Sequence, residues 1–587
     1  MDIFTALKNL KLHLEKKRYI HFALVICFTI ISSFAELLSI GAIIPFLAVL
    51  ADPDLVFAHP LSQPIINILN LNYPSELVLP ITIMFIVGAL FAASIRITLL
   101  WIQLRFSNSV SADISLKVFR HILHQQYLVH VQRNSSEVIA FVTTKSTALV
   151  KGIITPSLIF ISGSFTLMTI LLALIAFNPS AAISIFIFLG FSYIGISSLA
   201  SKSLDRSSAI INKKENEIFK VLQEAIGAIR DLIIDRTQKV YTKIYHAADV
   251  EMKKSQARIM LIGSTPKALL EALGMIIIAL VAYWISRDEA NLNKIIPTLG
   301  VLALGAQRLL PLLQQLFLSY SQMRGSSAQV KDLFKLLDDP LPPFTDAPIL
   351  NELSLNNTIK FNNLSFGYNG NEDLILKNIN FTINKGDKVG LIGETGCGKS
   401  TTLDILMSLL PPTKGALLID GNEVNERNQH EWRAQIAHVP QSIYLADASV
   451  LENIAFGVVK ERINFDLAKD AARKASILDA INDLPEGFDS WVGERGVKLS
   501  GGQRQRIGIA RALYKGAKVI IFDEATSALD TETENEVMKS IQDLSDEITI
   551  IIVAHRLSTL KSCNKIIELH DGKLSSIGTY DELIKNV

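Results

Sequence analysis

Eight consecutive residues have the types and order of a phosphate cradle. Gly393-Glu394-Thr395-Gly396-Cys397-Gly398-Lys399-Ser400 follows the apolar run 388–392 and precedes the helical run 401–410, the strand-loop-helix setting that a P-loop requires. Its glycines let backbone N–H groups wrap phosphates at a helix N-terminus, where the exposed amide dipoles favour anions. Lys399 supplies a point charge to the β- and γ-phosphates, Ser400 offers a hydroxyl to Mg²⁺, and Thr401 continues the phosphate-facing turn. Further on, Val519-Ile520-Ile521-Phe522-Asp523-Glu524 is a buried-type strand ending in two carboxylates. Asp523 is placed for Mg²⁺ and Glu524 for polarising an attacking water. The chemistry this set could perform is hydrolysis of a nucleoside triphosphate.

The elements that must position these residues divide the chain. From residue 358 on, short β-rich runs alternate with helical stretches, the pattern of an α/β domain. Before it, Pro340, Pro342 and Pro343 break any helix, so we divide the chain into 1–325, a linker at 326–355, and 356–587. The first part carries six apolar stretches, at 19–50, 77–104, 153–177, 181–200, 259–285 and 295–318. Each approaches or exceeds the ~20 residues that a helix needs to cross the hydrocarbon layer. Hydrophobic residues make up 49% of the 587 and mean hydropathy is +0.33, too apolar for a wholly soluble chain of this size. The segment before the first stretch carries Lys8, Lys11, Lys16, Lys17 and Arg18, whereas 51–76 has no Lys or Arg, which puts the N-terminus, and after six spans the C-terminus, in the cytoplasm. A formal net charge of +1 gives no field that argues for nucleic acid, and Cys27, Cys397 and Cys563 have no metal-ligand spacing.

Between the cradle and the paired acids lies Leu499-Ser500-Gly501-Gly502-Gln503. With the P-loop and the Asp-Glu strand in this order, it resembles the signature of ATP-binding-cassette ATPases. The resemblance covers essentially the whole chain and implies a type IV exporter fold: a six-helix transmembrane domain followed by an α/β nucleotide-binding domain. It implies ATP and Mg²⁺ as cofactors and gives further residues roles. Tyr368 matches the aromatic that stacks on adenine. Gln441 matches the glutamine that contacts Mg²⁺ and senses the membrane domain, Ser527-Ala528-Leu529-Asp530 the loop crossing the dimer interface, and His555 the switch histidine. Gly493-Glu494-Arg495-Gly496 resembles the pre-signature segment of exporters, and the loops near 127–137 and 227–239 are similar to coupling helices. In this family the signature of one cassette closes over the P-loop of the other, so a chain with one cassette implies a homodimer.

The cargo is read from the membrane half. Glu36, Arg96, Lys267 and Arg308 lie within or at the ends of apolar spans, where a central charge costs about 2.5–3.5 kcal/mol. At ~1.5 Å per residue, Arg96 lies ~28 Å, Lys267 ~27 Å and Arg308 ~20 Å from the outer ends of their spans, whereas Glu36 falls in the outer half. Three cations at similar depth could bind an anionic headgroup arriving from the inner leaflet; the alternatives are snorkelling by Arg96 and pairing of Lys267 with Glu271. The run 64–71, Pro-Ile-Ile-Asn-Ile-Leu-Asn-Leu, is apolar but too short to cross the bilayer. Together these features resemble bacterial flippases for lipid-linked oligosaccharides. That resemblance implies a polyprenyl-pyrophosphate-linked substrate, membrane lipid as a partner, and a place in the bacterial cytoplasmic membrane. A multidrug or lipid A-type exporter is the alternative within the class, and an ATP-gated channel or regulatory ATPase is the alternative outside it.

Overall fold

The structure is a computed structural model; it describes residues 3–51, 53–60, 62–177, 179–286, 292–341, 353–368, 373–524, 534, 539, 547–553 and 557–583. Two compact units result, one of 1–124 with 133–340 and one of 125–132 with 341–587.

The first unit is helical. In chain order it has α1 (Ile3–His13), α2 (Lys16–Gly41), α3 (Ile43–Ala51), α4 (Pro53–Phe57), α5 (Gln63–Leu69), α6 (Val78–Leu123), then α7 (Tyr127–Gln132), which belongs to the other unit. There follow α8 (Ser135–Ala140), α9 (Ser146–Leu149), α10 (Thr155–Phe177), α11 (Pro179–Gly227), α12 (Ile229–Ile234), α13 (Gln238–Ser286), α14 (Leu292–Gly325) and α15 (Ser327–Asp338). The six apolar stretches fall on α2 with α3, α6, α10, α11, α13 and α14. Among the described residues, Lys16–Ser39, Pro74–Leu123 and Ser135–Ala173 have the length and composition to cross a membrane. α11 and α13 each have 49 residues. That is roughly 70 Å of helix against a hydrocarbon layer of about 30 Å, so more than half of each lies beyond it.

The first stretch is not one helix. Pro45 has no N–H to give the Gly41 carbonyl, so the backbone turns at Ala42, whose own N–H still reaches Leu38 O at 2.9 Å, and restarts as α3. Most of the run 64–71 lies in α5, closed by Asn70 in the left-handed region. Ile66 turns inward to a small cluster with Val49, Leu77 and Ile81, while Ile68 is 78% exposed and Leu69 is exposed. Ile66 and the pair Ile68 and Leu69 therefore do not share one face; Ile66 is core. Two π-helical segments, Phe141–Lys145 and Val150–Ile154, interrupt the helix before α10. They place the fully buried Lys145 on Asp332 of α15 at 3.1 Å and over the Phe141 ring at 4.2 Å, with Asn212 donating to the same carboxylate.

The second unit is an α/β domain with two sheets. The strands are β1 (Thr358–Phe366), β2 (Leu376–Asn384), β3 (Lys388–Gly393), β4 (Lys414–Ile419), β5 (Asn422–Glu423), β6 (Ile436–Val439), β7 (Val519–Asp523), β8 (Thr549–Val553), β9 (Lys565–His570) and β10 (Lys573–Gly578). One sheet is antiparallel in the order β2-β1-β4-β5. The other runs β10-β9-β3-β8-β7-β6, parallel except for β10. Its central strands are continuous apolar runs because both faces are covered. Val519 and Ile521 point into one core with Leu403 and Leu406, whereas Ile520 and Phe522 point into the other with Ile507 and Ile509. The helix after the P-loop, α16 (Lys399–Leu406), thus packs on one face. On the opposite face lie α19 (Phe465–Lys474) and α21 (Gly501–Tyr514); α17 (Gln429–Ala434), α18 (Val450–Ile454) and α20 (Leu478–Asn482) complete the helices the site uses.

Candidate functional site

Parallel strands β3, β8, β7 and β6 all end at one edge of the sheet, and the candidate residues cluster at their carboxyl ends, where loops of α/β folds bind ligands. β3 runs into the P-loop at Gly393, whose φ is 145°; a Cβ there would overlap the Leu569 carbonyl oxygen and lie 2.6 Å from Cys397 Sγ. Gly398, at φ 102°, is the N-cap of α16, and a Cβ on it would meet Leu376 at 2.6 Å. Only glycine fits these two positions, which lets the loop curl tightly between β3 and α16. Lys399 Nζ donates to Gly393 O at 2.7 Å and to Glu394 O at 2.9 Å, which holds the ammonium inside the loop's concave side. Glu394, Thr395, Gly396 and Ser400 are exposed, Cys397 is buried, and the Thr401 side chain is buried in α16.

β7 delivers the two acids. Its register against β8 pairs Asp523 with Val553. One residue on, Glu524 takes φ 51°, a left-handed conformation that costs a non-glycine residue roughly 1–2 kcal/mol and that its N–H bond to Val553 O at 3.0 Å helps to hold. Gln441 stands two residues past β6, the neighbour of β7, and its Nε2 donates to Glu524 Oε2 at 2.6 Å. Burial, and then the adjacent Glu524, push the Asp523 carboxyl above its ordinary value, with Lys399 acting the other way. Asp404 of α16 was missed by the sequence reading: burial and the nearby Asp523 push it up to about 6. Its only signal is an acid among the apolar residues that follow the P-loop.

Tyr368 is half-buried after β1, edge-on to Phe366 with centroids 5.1 Å apart. Ser500 caps α21: its Oγ accepts from Gln503 N at 3.2 Å, and Gln503 Oε1 accepts from Ser500 N at 2.9 Å. This reciprocal box leaves Gly501 and Gly502 as the first residues of the helix. The short α7 packs with this unit through Leu128, and burial, Asp404 and Tyr368 push the Tyr127 phenol up. His555 and 527–530 lie outside the described residues, and so does the side chain of Arg308 on α14. Arg96 on α6 and Lys267 on α13 are exposed on their helices.

A loop with glycine-only positions, an inward lysine and a helix N-terminus fits a triphosphate, and the comparisons agree. Residues 22–304 match the ABC transporter transmembrane region family and 376–527 the ABC transporter family. The α-hemolysin translocation ATP-binding protein of Escherichia coli O157:H7 is 30% identical over 562 residues, 94% of this chain and 76% of that protein. The chain is an ABC transporter. An ATP-dependent lipid A-core flippase of Methylococcus capsulatus is 31% identical over 442 residues, 75% of this transporter and 72% of that one. A solved bacterial Atm1-family ABC exporter with ATP bound superposes with a TM-score of 0.77 at 23% identity, covering 93% of this chain and 96% of that one, which gives the transporter the type IV exporter fold. Its cassette binds ATP and is an ATPase coupled to transport, and its helical half is a transmembrane domain.

Proposed function

We propose that the transporter works as a homodimer that hydrolyses ATP to flip a lipid-anchored, anionic amphiphile across the bacterial cytoplasmic membrane, with both termini in the cytoplasm. Several relatives bear the name ATP-dependent lipid A-core flippase, and this observation carries the reading toward a lipid A-type cargo. The lipid-linked oligosaccharide reading has its own support in α5, which presents Ile68 and Leu69 outside the small core that Ile66 joins. A polyprenyl tail would find apolar contact there.

In this reading Tyr368 stacks on adenine, residues 393–401 hold the phosphates, and Ser500, Gly501, Gly502 and Gln503 close over the partner's nucleotide. Ser400, Asp523 and Gln441 offer hydroxyl, carboxylate and amide oxygens, a donor set that suits Mg²⁺, which would offset phosphate charge when bound. Glu524 orients the attacking water through the carboxylate that Gln441 fixes, and His555 attends the γ-phosphate. Arg96, Lys267 and Arg308 receive the anionic headgroup.

The test is a panel of cargoes in proteoliposomes: lipid A-core, a polyprenyl-pyrophosphate oligosaccharide and a hydrophobic cation. ATP hydrolysis and flipping stimulated by either of the first two support the proposal and separate its two forms. Stimulation by the cation alone would move the transporter to the multidrug class, and ion conductance without flipping would make it a channel.

A further inference from the structure

The signature helix and the residues just after Gln441 are bound together more tightly than helix packing requires. α21 meets the segment 443–445 at Ile443 and Tyr444, and Gly496, just before the signature, meets it at Leu445. A Cβ at Gly508 would overlap Ile443 Cδ1, so the helix lies directly on that side chain. Arg511 Nη1 donates to Tyr444 O at 3.1 Å. A Cβ at Gly496, just before the signature, would come within 2.7 Å of Leu445 Cδ1, and Gly496 O accepts from Arg504 of α21 at 3.4 Å.

Arg511 does more than touch Tyr444. Its Nε donates to Asn453 O at 2.9 Å and its Nη2 to Asn453 Oδ1 at 3.3 Å, while the guanidinium lies over the Phe456 ring at 4.4 Å. Asn453 is fully buried and holds Ala446 from both sides, accepting from its N–H at 2.9 Å and donating to its carbonyl at 3.0 Å. One planar fork thus reaches the loop at Tyr444 directly and at Ala446 through Asn453, a geometry an ammonium cannot reproduce. Gln441 lies three residues before Tyr444, within about 10 Å along an extended chain, and its amide holds Glu524 at 2.6 Å.

We propose that Gly508 and Arg511 are positioning residues that couple the two ATP sites of the dimer, by making 443–446 a strut between the signature, which serves the partner's nucleotide, and Gln441, which serves the chain's own. This rests on the homodimer reading above. A signature helix that moves as it engages the partner's site carries 443–446 with it and resets the Gln441 amide on Glu524. Coupling of this kind is reciprocal, so each site's occupancy raises the other's competence.

The experiment uses the full-length transporter in nanodiscs without cargo, following phosphate release against ATP concentration. The wild type should give a Hill coefficient of about 1.5–2, bounded by the two sites. Arg511→Met and Ile443→Ala should each lower it to about 1 with the thermal unfolding midpoint kept, and Arg511→Lys should fall between. Gly508→Ala should behave as Arg511→Met does, and adding Ile443→Ala to it should not restore more than the single Ile443→Ala retains. A variant that is merely less well folded would lose rate without losing cooperativity. A wild-type coefficient of 1, or an unchanged coefficient in both Arg511→Met and Ile443→Ala, overturns the strut. Absence of any hydrolysis by the wild type would instead overturn the role given to the ATP site, and cargo identity does not enter the measurement.

Discussion

In the cassette, each candidate site residue is placed by backbone: Lys399 by a glycine-only loop, Glu524 by its left-handed conformation at a strand end, Gln441 by the strand beside it. In the membrane half, Arg96 and Lys267 are exposed on the surfaces of long helices, and among the described residues the one backbone irregularity beside them is Pro266, which precedes Lys267 inside α13. The difference teaches where tolerance to substitution should lie. A site built from strand ends and a tight loop has one geometry and fails abruptly when it is altered. A site built from charges on helix faces depends on their sum and on how several helices come together, so it should fail by degrees.

The largest break of this contrast is at Glu524. Glu524→Gln keeps the cradle and should bind ATP as the wild type does, yet lose turnover by about 10²–10⁴-fold, the range for removing a general base. Equilibrium ATP binding and phosphate release, measured on the same preparation, check both halves of that statement. Lys399→Ala should instead weaken ATP binding itself, and wild-type affinity there would remove the P-loop lysine from its role.

A graded loss is expected in the membrane half. Neutralising Arg96, Lys267 and Arg308 one at a time should reduce flipping of an anionic lipid in steps, and the triple variant should abolish it, with basal hydrolysis kept throughout. An all-or-none loss from one of the three would show a single geometric contact and narrow the contrast with the cassette. On α5, Ile68→Ser with Leu69→Ser should lower cargo stimulation several-fold while the fold persists. Ile66→Ser should destabilise the unit instead, since burying that side chain contributes on the order of 1.5–3 kcal/mol. Transport assays paired with thermal unfolding separate the two effects.

The smallest effect concerns Asp404. Its folded-state carboxyl titrates at about 6 against an ordinary 3.8. Between those values the folded cassette binds the extra proton, so stability falls as pH rises through that window. Asp404→Asn should therefore raise the unfolding midpoint at pH 8, by about 1–3 °C after allowance for solvent screening, and the gain should shrink toward pH 4. Melting curves at the two pH values check the sign.

These contrasts also explain what could be read from the chain itself. The P-loop, the strand ending at Asp523 and the Ser500 cap are runs of adjacent residues, so the types and spacing that suggest their chemistry also dictate their local conformation. The Gln441–Glu524 bond joins residues far apart in sequence and needs β6 beside β7, which no local pattern states. Asp404 sits on a helix whose role in the site comes only from the packing of α16 under Asp523. In the membrane half, apolar length marked the spans, but a single proline, Pro45, was enough to divide the first of them. The run at 64–71 was legible as an apolar segment too short to cross a bilayer, and its helical form, α5, came from the structure. Which of its side chains turn inward depends on Val49, Leu77 and Ile81, supplied by neighbouring elements.

In the proposed function, ATP hydrolysis at the Glu524 site drives an anionic lipid from one leaflet to the other. It is tested most directly by reconstituting the transporter with a fluorescent lipid A-core or polyprenyl-pyrophosphate glycan and following its accessibility to a membrane-impermeant quencher. Transfer should require Mg-ATP, be absent in Glu524→Gln, and decline in steps as Arg96, Lys267 and Arg308 are neutralised. Transfer at the wild-type rate in Glu524→Gln, or hydrolysis with no transfer of either lipid, would contradict it.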